Sequence, residues 1–102
     1  MKELEKKIIK WAEERGIFKE LNVPAQAEKL EEEIEELLSE LHSLHPRSQR
    51  NIELEAGDVG VVLINLMHMC GLSFHDCIEA AYQKIKDRKG TIIRGKFVKE
   101  EV

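Results

Sequence analysis

One stretch, from Ile52 to Cys70, limits what the chain can fold into. From Val59 onward it is apolar on nearly every side. It is too short to span a bilayer and is interrupted by Gly60, Asn65 and His68. A segment of this kind folds as a central, buried helix, and Gly71 closes it. Yet it opens on two acids, Glu55 and Asp58, about one helical turn apart. A charge that close to a core is costly unless it is paired or metal-bound. Position offers a second explanation, because the dipole favours negative charge in the first turns of a helix.

Three further helices are predicted around it. The first covers residues 2–15, with Leu4, Ile8, Ile9, Trp11 and Ala12 on its apolar side and Gly16 as its stop. Residues 16–23 read as a connection. The second helix begins at Pro24, which suits a first helical turn, and runs to about His42 or Leu44 on the stripe Ala27, Leu30, Ile34, Leu37, Leu38, Leu41 and Leu44. A loop at 45–51 leads to the central helix. Ser73 is a plausible N-cap for the last helix, which is expected to reach Lys89 and stop at Gly90. The tail, with Ile92, Ile93, Phe97 and Val98 around Gly95, is expected to be extended, as a short hairpin packed on the body or on a partner.

At 102 residues this is one domain, residues 1–102. A chain so small buries only about two-thirds of its unfolded surface, which makes self-association a natural way to hide the rest. Cys70 and Cys77 form no disulfide framework and the N-terminus has no apolar leader, so a cytoplasmic setting is expected. The net charge of −4 is unevenly spread. Residues 28–40 hold seven glutamates against Lys29, and residues 84–99 hold seven bases against Asp87. An acidic pole suits a divalent cation and a basic pole suits phosphate.

Helical spacing sharpens the acidic pole. Glu33 and Glu36 share a face, with Glu32 four residues before Glu36, and Glu55 and Asp58 repeat the spacing. Asn65 lies two turns beyond Asp58 on the same side. If the second and central helices pack antiparallel, the two pairs converge, and hard carboxylate oxygens select Mg²⁺ or Mn²⁺ over zinc.

At these residues the chain resembles the MazG-like, all-α nucleoside triphosphate pyrophosphohydrolases. The EExxE motif of that family matches Glu32-Glu33-Ile34-Glu35-Glu36, and its ExxD matches Glu55-Ala56-Gly57-Asp58. Asn65, the run Ala80-Ala81-Tyr82-Gln83-Lys84, Arg88-Lys89-Gly90 and the stretch from Trp11 to Ile17 continue the likeness over nearly the whole chain. The resemblance implies a four-helix, bundle-like subunit with a short extended tail, assembled as a dimer or tetramer. It also implies Mg²⁺-dependent cleavage of a nucleoside triphosphate to the monophosphate and pyrophosphate. Glu33, Glu36, Glu55 and Asp58 then become metal ligands, with Glu32 or a metal-bound carboxylate such as Glu33 activating water. Lys84 and Arg88 become phosphate donors, and Trp11 a stacking partner for the base. The family often has Asn where this chain has Tyr82, which leaves Asn65 as the polar substrate contact.

Other chemistries fit less well. No His follows a Glu at the spacing of a di-iron site. His68, Cys70, His75 and Cys77 lack the spacing of a zinc site. An acidic total with no groove-reading helix argues against nucleic acid. The rival expectation is a non-catalytic helical dimer, nucleotide-binding or structural, that keeps the fold without turnover.

Overall fold

The computed structural model describes residues 2–44 and 48–100. Among them run five helices and one hairpin: α1 (Lys2–Glu14), α2 (Ile17–Glu20), α3 (Val23–Leu41), α4 (Gln49–Met69), α5 (Phe74–Ile85), β1 (Gly90–Ile93) and β2 (Lys96–Lys99). The all-α character is as expected, but the connection at 16–23 contains the one-turn helix α2. Gly16 makes this possible by taking a left-handed φ of 77°. The expected loop at 45–51 lies partly outside the described residues. Its last part is already helical, because the Ser48 side chain accepts a hydrogen bond from Asn51 N–H at 3.2 Å and starts α4 at Gln49. Asn22 caps α3 in the same way, at 2.9 Å from Ala25 N–H.

α4 is the centre. It supplies Val62, Ile64 and Leu66 to a thin core that Ala12 of α1 completes. α3 lies along α4, and α1 packs across α4 with contacts to α2 and α5. Glu33 meets Asp58, while Gln26, seven residues earlier on α3, shares a cavity with Asn65, seven residues later on α4. That pairing is the register of two antiparallel helices. No single helix among the described residues is long and apolar enough to cross a membrane.

α5 departs from the expected bundle, leaving α4 at 96°. Its start is tied down by Glu5, buried at 4% exposure on α1. Glu5 Oε1 accepts from Phe74 N–H at 2.7 Å, His75 N–H at 3.4 Å and the Ser73 hydroxyl at 3.1 Å. Ser73 also caps the helix by accepting from Asp76 N–H. The helix ends at Ile85 rather than Lys89, so Gly90 is not its stop. Gly90 belongs to the hairpin, where a side chain would strike the Val98 carbonyl and the Phe97 ring. Arg94 and Gly95, both at positive φ (53° and 76°), make the tight two-residue turn. Every strand residue is exposed, so within one copy the hairpin does not pack closely on any other described element.

Candidate metal centre

Glu33, Glu55 and Asp58 each offer a carboxylate oxygen within 4.8 Å of the others. α3 and α4 produce this by packing antiparallel with the acid of one facing the i, i+3 pair of the other. Glu33 is only 7% exposed. Its Oε1 lies 3.0 Å from Lys29 Nζ, whose pKa is raised chiefly by that hydrogen bond and charge. Glu33 Oε2 and Glu55 Oε2 are both buried without a hydrogen-bond partner. Buried acceptors are almost always satisfied. Two orphaned carboxylate oxygens beside a third acid therefore fit a cation that such a donor set would hold, and all-oxygen donors fit Mg²⁺ or Mn²⁺.

The dipole explanation for the α4 acids does not survive. With α4 starting at Gln49, Glu55 and Asp58 fall beyond the first turn, where the dipole has faded. Glu36 stands exposed beside the tight group. Its pKa is raised, first by the charge of Glu33, then by lost hydration and by Glu55. Glu32 is exposed on the cavity wall, 3.5 Å from Lys29 Nζ.

Next to the acids opens a cavity of about 480 Å³, within the usual size range of small-molecule sites. Trp11 forms part of its wall, and Ile17 and Leu21 add apolar surface. Trp11 is 45% exposed, and its ring carries the Arg15 guanidinium 5.0 Å from its centroid. It also borders a second hollow, of about 350 Å³, that Asp58 and Val61 share. Asn65 lines the first cavity at 1% exposure, and its Oδ1 has no partner. Gln26, 3% exposed, lines it too. Sequence reasoning singled out neither Gln26 nor the Lys29 contact. The available signal was the helical spacing of both from Glu33.

Lys84 and Arg88 are not brought to this place within one copy. Both are exposed, Lys84 in the last turn of α5 and Arg88 just past it. At a rise of ~1.5 Å per residue along two helices 96° apart, Lys84 lies roughly 20–25 Å from the acids. His68, His75, Cys70 and Cys77 also stay apart from the site. His68 packs its ring on Phe18 at 4.7 Å. His75 joins Asp76 and Glu79 in a second surface group, with His75 Nε2 3.6 Å from Glu79. Cys70 and Cys77 are free thiols. No family model, curated protein or solved structure matches the chain.

Proposed function

We propose that this chain is a Mg²⁺-dependent nucleoside triphosphate pyrophosphohydrolase of the MazG-like kind, cleaving between the α and β phosphates. The observation behind it is the Glu33–Glu55–Asp58 group, with two buried, unpartnered carboxylate oxygens, set beside a cavity walled by Trp11. Mg²⁺ bound there, with Glu36 close by, would polarise the phosphate and lower the pKa of water. Glu32 faces the cavity with an exposed carboxylate and accepts the proton of the attacking water. The water oxygen bonds to the α-phosphorus, the bond to the bridging oxygen breaks, and pyrophosphate leaves. Lys29 holds Glu33 and Glu32 in place through its two ion pairs. A pyrophosphohydrolase also needs donors for the departing phosphates, and the resemblance gives that part to Lys84 and Arg88.

A second copy of the chain supplies them in this reading, as a homodimer or homotetramer. The exposed surface is 8219 Å². A folded monomer of 11.8 kDa should expose ~5,900 Å². The excess of ~2,300 Å² per copy exceeds what one partner contributes to an ordinary stable interface. Much of it lies on α5 and the hairpin, where Ile78, Tyr82, Ile85, Ile92 and Phe97 are each about half exposed or more. An isolated two-stranded hairpin is marginal in water, which also argues for a cover. The free thiols suit a cytoplasmic setting.

Incubation with each dNTP and Mg²⁺ tests the activity. The expected products are dNMP and pyrophosphate, lost in Asp58→Ala. No product from any nucleotide, with wild type and variant alike, would leave the non-catalytic helical dimer.

A further inference from the structure

The orphaned Asn65 Oδ1 cannot be served by the ion that serves Glu33 and Glu55. Asn65 lies seven residues beyond Asp58 on α4, a rise of ~10 Å, whereas the ligands of one ion sit a few ångströms apart. It needs a donor of its own. Gln26 lies the same distance from Glu33, in the same direction, because α3 and α4 are antiparallel. Its side chain is 3% exposed and lines the same cavity. Two nearly buried amides thus stand together at one end of the Trp11 cavity, with the acids at the other.

The cavity wall decides which end of a ligand can reach the amides. Glu28, Glu32, Glu33 and Asp58 oppose one cation, Lys29, so a phosphate is repelled except where a metal neutralises it. The group that enters cannot be an anion. It must be flat enough to lie along an indole, and it must offer hydrogen-bond donors and acceptors on one edge. A separation of ~10 Å between the acids and the amides is about the reach from a nucleotide's α-phosphorus to the far edge of its base.

We propose that Gln26 and Asn65 form a nucleobase-reading site, in which the base lies against Trp11 and its pairing edge is hydrogen-bonded by the two amides. This rests on the reading of the acids as a nucleotide pyrophosphohydrolase centre, and it adds the residues that set base preference. A donor on the base satisfies Asn65 Oδ1. A base lacking that donor leaves the amide orphaned, which is the costly outcome.

Trp11 is the only tryptophan, so its fluorescence reports the site directly. Wild-type protein is titrated with the four 2′-deoxynucleosides, which carry no phosphate and need no metal. One is expected to quench Trp11 at least about tenfold more tightly than the weakest, and the same base should lead in kcat/KM among dNTPs. Asn65→Leu and Gln26→Leu should each bring the bases to near parity, while the Mg²⁺-induced rise in Tm stays. Asn65→Asp, nearly equal in size, should shift the preference and serves if the leucine variant does not fold. Selective nucleoside quenching without hydrolysis of any dNTP would sustain the base site and remove the hydrolase reading. Hydrolysis with no nucleoside perturbing Trp11, or variants that keep the wild-type preference, would overturn the base site alone.

Discussion

Asp58→Asn should make the metal-free protein more stable, not less. Asp58 is exposed, and its carboxylate lies within 4.8 Å of an oxygen of Glu33 and one of Glu55. In a water-like dielectric each such pair costs about 0.9 kcal/mol, and a lower effective dielectric around the half-buried Glu55 raises that. Removing one charge relieves two pairs, a gain of about 1–2 kcal/mol, which for a domain of this size is a Tm increase of at least ~4–8 °C. Mg²⁺ should reverse the order. At a hundredfold excess over Kd the ion adds ~2.7 kcal/mol to wild type, and most of this is lost without the Asp58 ligand. Thermal unfolding followed by circular dichroism, at one protein concentration, in EDTA and then in Mg²⁺, should show the two curves exchanging places. A variant less stable than wild type in EDTA, or one with an equal Mg²⁺ shift, would refute the mutual repulsion of these acids.

The same crowding should appear as a pH dependence. Glu36 titrates above the ordinary carboxylate value in the folded state, so its contribution to stability is complete below the unfolded value and is lost as pH rises through the folded one. In EDTA the wild-type Tm should fall across that window, and Glu33→Gln, which removes the main cause, should flatten the fall. Glu5→Ala should cost about 2–4 kcal/mol in urea unfolding, because it leaves Phe74 N–H and the α5 N-terminus without their buried acceptor. Ser73→Ala, which removes the local cap and one donor to Glu5 but leaves Glu5 its two backbone donors, should cost less, about 1–2 kcal/mol. Tyr82→Asp or Phe97→Asp, which places a charge on the exposed apolar faces of α5 and the hairpin, should convert the assembly to a monomer by analytical ultracentrifugation.

What sequence patterns disclosed was set by distance along the chain. Glu33, Glu55 and Asp58 could be singled out because i, i+3 spacing fixes a face within one helix, and a short loop then fixes which faces meet. Gly95 marked the hairpin because its turn needs a positive φ. Glu5 carried no signal. It is an ordinary acid on an amphipathic helix until folding brings it to Ser73, 68 residues away. Gln26 was hidden for a similar reason, since its role depends on the antiparallel register that sets it beside Asn65. The 96° departure of α5 has no local cause in its own sequence, whose apolar positions would suit a bundle equally well. The start of α4 was placed three residues late because Ser48, not the apolar pattern, determines it. That shift removed the helix dipole as an explanation for Glu55 and Asp58, and so strengthened the case for a cation.

The angle of α5 ties assembly to chemistry. Had α5 folded back along α4, Ile78, Tyr82 and Ile85 would have found cover inside one copy, and the bases at its end would have lain near the acids. Instead the apolar stripe and the basic end leave the subunit together. A partner that buries the stripe therefore also meets Lys84 and Arg88, which do not reach the acids of their own subunit. Under the proposed function, a lone copy would hold the acids without Lys84 and Arg88 to receive the departing pyrophosphate. On this account the excess surface and the distance of Lys84 and Arg88 from the acids are one feature of the fold, and a monomeric variant that still gains Tm with Mg²⁺ should have lost turnover.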